Sequence, residues 1–241
     1  MIVNPTKTGW EVIYHRAHAL LASQIGGQWR RKDAPPRLYE TIAAISHHDD
    51  LEKEWEEHCL SEAGAPLDFT FDDKADYNAL RKHMESALYR GRWVALLNSM
   101  HQTRLNAGMV SENPEAKAFV DEQIKLQEVW RKELGISKDD ADSAYAFMQW
   151  CDRLSLILCM HELPADERAL EVSVGHDGER YDIMQLEDGI VTVKPWCFED
   201  ERFTVNVEAS ELSEIKFDDN ASLIAALKVA PRKLLEWTFV K

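Results

Sequence analysis

Basic residues are in short supply in this chain: 28 Lys and Arg stand against 43 Asp and Glu in 241 residues, a formal charge of −15. A molecule that acidic repels phosphate backbones at long range, which argues against a nucleic-acid partner and leaves room only for a local basic pocket around a small anion. Cysteine is scarce too. Cys59, Cys151, Cys159 and Cys197 form no CxxC pair and no metal-finger spacing, so reduced thiols of an intracellular protein are expected. Met1–Trp10 has no basic-then-apolar leader pattern, and no apolar run approaches a membrane span. The expected compartment is the cytoplasm, with no membrane partner. GxGxxG, GxxxxGK(S/T), HExxH and GxSxG are all missing, so phosphate-cradling loops and the common hydrolase elbows have no support. There is no internal repeat or low-complexity tract.

What is present is ordinary globular material, 45% hydrophobic and 29% charged, long enough to bury a sizeable core. Met1–Asn4 and Gly9–Tyr14 read as two short strands around a turn. From Arg16 the period becomes helical, with His18, Leu21, Ala22 and Ile25 on one face and Gly26-Gly27 as a stop. A second helix is expected after Asp33, with Pro35 and Pro36 in its first turn, carrying Leu38, Ile42 and Ile45 towards His48 and Asp49. Residues 67–73 read as irregular. Further helices are expected over Ala75–Tyr89, Trp93–Asn106, Glu115–Leu134 and Asp139–His161, the last opened by a Ser137/Asp140 capping box. Beyond Pro164 the pattern alternates through Leu170–Val174, Tyr181–Leu186, Val191–Val193 and Phe203–Val207, then a short helix Asn220–Val229 and a strand Leu234–Val240. The expected organisation is a helical body over residues 1–165, with its N-terminal strands, and a β-rich region over 166–241 packed on it.

Several ionisable residues fall on apolar helical stripes. His18 is in phase with Leu21 and Ile25; His48 and Asp49 follow Ile45 by three and four; His101 lies four residues from both Leu97 and Leu105; Asp152 lies four from Met148 and Leu156. An inward carboxylate is costly unless paired or bound to a cation. Each residue also has a plain reading: a buried histidine bonded to a carbonyl, or Asp152 paired with Arg153. Taken jointly, three histidines and two carboxylates point to one divalent metal or two, and the N/O donor set suits Mn, Fe, Co, Ni or Zn.

The order His18 … His48-Asp49 … Asp152, with Trp150–Ser155 around the last aspartate, resembles the HD superfamily of metal-dependent phosphohydrolases. Over nearly the whole chain HRAHALLASQIG (His15–Gly26), AAISHHDD (Ala43–Asp50), WVALLNSMH (Trp93–His101), CDRLSL (Cys151–Leu156) and DG…VKPWCF (Asp188–Phe198) resemble the bacterial domain of unknown function family 3891. The HD resemblance implies a mainly α fold: an HD-like helical bundle with a short N-terminal strand pair and a small C-terminal β-rich region. It also implies a metal-activated water acting on a small phosphate ester or related anion, and two-metal members add two histidines, here His83 and His101. Arg81, Lys82 and Glu85 around His83 suggest exposure. His101 is a second-metal ligand or a proton donor to the leaving group, and Arg104, one turn on, is an anion contact or a solvated arginine. The chain departs from the HD pattern after the dipeptide, where Asp50-Leu51-Glu52-Lys53 leaves Lys53 only a weak anion role.

His15 and His47 are alternatives to His18 and His48. His58 reads as surface, the Glu52–Glu57 run as a solvated helix face, and His161 and His176 as connecting residues without a function. Pro195–Phe198 reads as apolar packing of the β region. Three functional readings follow: a metal-dependent hydrolase; a two-iron oxygenase that needs both His83 and His101; and a non-catalytic protein with a structural or sensory metal site. Each leaves room for a homo-oligomer.

Overall fold

The computed structural model describes residues 1–51, 59–71 and 75–241. Lys53, His58 and the Glu52–Glu57 run lie outside the described residues. Among the described residues no helix is long and apolar enough to cross a membrane, and Cys151, Cys159 and Cys197 are buried free thiols.

The hairpin β1 (Ile2–Pro5) and β2 (Trp10–Ile13) leads directly into α1 (His15–Gly27) and α2 (Leu38–His47). Next come α3 (Tyr77–Leu88), α4 (Arg92–Asn106), α5 (Pro114–Leu134) and α6 (Lys138–Cys159). Local chemistry sets these boundaries. Asp76 caps α3 by accepting from the Asn78 and Ala79 amides; Asn113 and Pro114 open α5, and Gly135 closes it at φ 66°. Ser137 and Asp140 form the expected reciprocal capping box on α6. The chain then runs through β3 (Leu170–Val174), β4 (Arg180–Gln185), β5 (Val191–Lys194), β6 (Arg202–Leu212), α7 (Asn220–Val229) and β7 (Arg232–Val240).

The seven strands among the described residues belong to one curled sheet of order β1-β2-β6-β7-β5-β4-β3. Its pairs are antiparallel except β5 with β7. The expected mainly α, HD-like helical bundle with a small β-rich appendage, an all-α class in short, is therefore corrected. The N-terminal hairpin is not a separate pair: β2 joins β6 in a register that sets Trp10 opposite Leu212, and closes one edge of a large sheet. Strand pairing over some 200 residues leaves no mark on local periodicity, which is why alternation alone undercounts the sheet.

Two smaller boundaries also move. Pro35 and Pro36 do not open α2: Ala34 and Pro35 each precede a proline and are steered away from the helical region, Ala34 being extended, and Arg37 takes φ 58° at the helix cap. Gly26 and Gly27 lie inside α1 rather than after it. A Cβ on Gly26 would meet Cys151 Sγ at 3.3 Å and Ile45 at 3.4 Å, so this glycine lets α1, α2 and α6 approach closely.

One hydrophobic core joins helices to sheet. It runs from Ile2 and Ile13 through Leu21, Ile45, Leu96 and Leu154 to Val193, Val207 and Phe239. Burying each such aliphatic side chain contributes about 1.5–3 kcal/mol. Trp29, Phe147, Trp150, Tyr181 and Phe198 pack edge to face where α1 and α6 meet the sheet. Cys197 and Phe198 enter this core, while Pro195 is exposed and Trp196 half-buried beside a cavity of about 260 Å³.

Candidate metal centre

Three helices and a turn bring the centre together. α1 leaves β2 with His18 on its core-facing side, fully buried. α2 ends at His47, so His48 and Asp49 occupy the turn beyond it and not the helix that the spacing suggested. α4 is pinned beside α2 by the Trp93 indole donating to Thr41 Oγ1 (2.9 Å) and the Asn98 amide donating to the Ala44 carbonyl (3.2 Å). That placement sets His101 beside His48, ring centroids 4.9 Å apart. α6 supplies Asp152 and Ser155.

Two imidazole nitrogens and two carboxylate oxygens converge. His18 Nε2 lies 3.1 Å from Asp49 Oδ2 and 3.4 Å from Asp152 Oδ1. His48 Nε2 lies 3.4 Å from Asp49 Oδ2 and 3.3 Å from Asp152 Oδ1. Both histidines are completely buried, whereas the Asp49 and Asp152 side chains keep 22% and 16% of their surface. The carboxylates are thus the solvent-reaching side of the cluster.

The opposite ring nitrogens are tied down. His48 Nδ1 stands 2.6 Å from the Ile45 carbonyl, which can only accept, so Nδ1 carries a proton and Nε2 is the nitrogen turned to the carboxylates. His48 Nε2 is a buried atom without a hydrogen bond. His18 Nδ1 stands 2.7 Å from Ser155 Oγ, itself 2.8 Å from the Asp152 carbonyl. The Ser155 hydroxyl donates to that carbonyl and turns its oxygen to His18 Nδ1, while His18 Nε2 faces Asp49.

The electrostatics demand positive charge here. Burial disfavours the charged ring of His48, but Asp49, Asp152 and the Ile45 carbonyl outweigh it and push its pKa up to about 10. Burial would raise both carboxyls, yet His48 and His18 hold Asp49 well below its ordinary value and Asp152 below it. His101 lacks that compensation: burial and the charge on His48 hold it down to about 4, and its Nδ1 has no partner. Ligand atoms of His18, His48 and Asp152 all lie within 4.8 Å of one another, as do those of His48, Asp49 and His101.

The remaining expected residues fall around this core. His83 is buried, not exposed, because Leu80, Met84 and Ala87 carry its side of α3 inward while Arg81 and Lys82 sit elsewhere on the turn. Its ring lies 4.6 Å from that of His47, Nε2 is unpartnered, and it belongs to neither group of converging atoms. His47 faces Asp50 at 3.1 Å and Arg90 at 3.4 Å. His15 is half-buried against Phe69, its ring 6.4 Å from His18. Arg104 is exposed on α4. His161 bonds Glu11 at 2.6 Å, and His176 bonds the Asp33 carbonyl at 2.8 Å while packing on Trp29.

Two residues near the centre escaped the spacing argument. Ser155 is three residues after Asp152 and Tyr145 seven before it, both on the Asp152 face of α6. Helical phase from Asp152 places both on its face, but a hydroxyl on a helical stripe carries no charge to mark it as costly to bury. Asp50, which departs from the HD pattern in sequence, has a structural part. Its carboxylate receives Arg16, His47 and, at 3.9 Å, Arg90, bracing the turn that holds His48 and Asp49.

A family model described as a protein of unknown function, DUF3891, matches residues 1–214, and the chain belongs to that family. No curated protein and no solved structure matches it.

Proposed function

We propose that the chain is a metal-dependent hydrolase of a small phosphate ester or related anionic substrate, with an HD-type metal centre built from His18, His48, Asp49 and Asp152. One observation carries this reading: two imidazoles, each with Nδ1 occupied by an oxygen, turn their Nε2 atoms on the same two carboxylate oxygens. Ligands held about 2.0–2.2 Å from one ion stand roughly 3.0–3.5 Å from each other, and the four His–Asp separations here, 3.1–3.4 Å, fall in that range. Histidines that bind metal commonly donate their other N–H to a carbonyl or hydroxyl, as the Ile45 and Ser155 contacts permit. The donors suit Mn, Fe, Co, Ni or Zn.

When bound, a divalent ion lowers the pKa of water and stabilises charge developing on a phosphoryl oxygen. The chain's own residues orient and exclude. Ile45 and Ser155 fix the two rings, and the buried imidazoles leave the carboxylate side as the approach for substrate. His101 adds a buried neutral nitrogen beside His48 and Asp49, which favours a second ion sharing Asp49 or, failing that, a proton-transfer role for His101. A pair of irons, as in the oxygenase reading, would also draw on His83 Nε2.

The test is the metal content of the purified chain, by elemental mass spectrometry, beside Asp49→Ala and Asp152→Ala. One or two equivalents in the native chain, lost in both folded variants, supports the centre. A metal-free native chain that stays metal-free on reloading refutes it.

A further inference from the structure

We infer that the Tyr145 hydroxyl is a ligand-binding donor of this centre, reserved for an oxygen of a tetrahedral oxyanion that approaches from the carboxylate side; the inference rests on the metal-centre reading above. Tyr145 is only 8% exposed, and its hydroxyl is a buried polar atom with no hydrogen-bond partner. A buried hydroxyl left unsatisfied is destabilising, and since Tyr77 has one too, it is the place of Tyr145 beside His101 that sets it apart.

Its position supplies the missing partner. Tyr145 precedes Asp152 by seven residues on the same face of α6, and its ring centroid lies 6.3 Å from that of His101. Arg104 and Asp152 are the charged groups that act on the phenol. Its O–H is a donor that an oxyanion can accept from. A neutral carbonyl ligand would use the hydroxyl but not the neighbouring guanidinium. An oxyanion uses both, accepting from the phenol inside and meeting the Arg104 charge at the exposed rim.

The experiment is calorimetric binding of inorganic phosphate to the full chain loaded with its metal, compared with Tyr145→Phe and with Tyr77→Phe, a second buried tyrosine that packs on Phe119. Metal content and melting temperature are measured first on each protein. Tyr145→Phe is expected to keep its metal and its melting temperature while weakening phosphate about tenfold, the worth of one charge-assisted hydrogen bond. Tyr77→Phe is expected to leave phosphate binding unchanged.

Phosphate affinity within twofold of the parent in Tyr145→Phe overturns the inference, as does equal weakening in Tyr77→Phe. A loaded parent chain that ignores phosphate overturns the oxyanion class. Absence of metal in the parent chain appears before any phosphate is added, and removes the metal reading and this inference together.

Discussion

The Ser155 hydroxyl stands 2.7 Å from Nδ1 of His18, joining two residues 137 positions apart in the chain. The same oxygen is 2.8 Å from the carbonyl of Asp152, so one small side chain links the orientation of a buried imidazole to the helix turn that presents a carboxylate. Pinning Nδ1 determines which way Nε2 points, and both carboxylates lie where it points.

Ser155→Ala is accordingly expected to weaken metal affinity about 10–100-fold without removing a ligand, the usual cost of deleting such a support. Competition against a chelating dye measures this. Unchanged affinity would mean that packing alone orients His18.

Among the histidines, His18→Ala and His48→Ala are expected to abolish metal retention. His15→Ala and His47→Ala should keep at least one equivalent, since neither ring reaches the shared carboxylates. Elemental analysis of the four variants separates the pairs, and loss of metal in His15→Ala alone would move the first ligand three residues along α1.

Closure of the sheet edge by the N-terminal hairpin is tested at Gly9. A Cβ there would lie 1.9 Å from the Leu212 carbonyl oxygen, beside the Trp10–Leu212 pair. Gly9→Ala therefore has to shift backbone, and a loss of about 1–3 kcal/mol is expected by analogy with overpacked cores. Chemical denaturation measures it; a neutral result would show that β2 does not pack on β6 as described.

Glu11 gives a pH signature remote from the metal centre. It is buried on β2, accepts from His161 at 2.6 Å and from Asn4 at 3.1 Å, and the His161 contact, opposed by burial, lowers its pKa from 4.5. A carboxyl that is more acidic folded than unfolded contributes stability above the unfolded pKa and loses it as pH falls through the folded one. The melting-temperature gap between the parent chain and Glu11→Gln is therefore expected to be full near neutral pH and to shrink below about pH 4.5. A gap that does not vary between pH 7 and pH 3 would show that the charge on Glu11 contributes nothing.

How legible all this was from sequence depended on the reach of each signal. His18, Asp152 and His101 could be placed because helical phase is local: each lies a turn from leucine, isoleucine or methionine on its own helix. The capping box at Ser137 and Asp140 was legible for the same reason. His83 was misread because its charged neighbours dominate a sequence window, while a helix needs only one narrow stripe to bury. The turn at His48 and Asp49 was read as helix because the αR backbone at the cap continues the helical phase.

By itself, then, the sequence determined the acidic balance, the helices with their caps, and a set of histidines and aspartates on inward faces, since these are properties of composition and of neighbours within a turn or two. Only the tertiary structure decided that the N-terminal hairpin and the C-terminal strands form one sheet, that His18 and His48 rather than His15 and His47 meet the two carboxylates, and that Ser155 stands against His18 and Tyr145 beside His101. Those outcomes rest on contacts between segments far apart in the chain, where one residue of register or one turn of helix changes the partner and local periodicity stays the same.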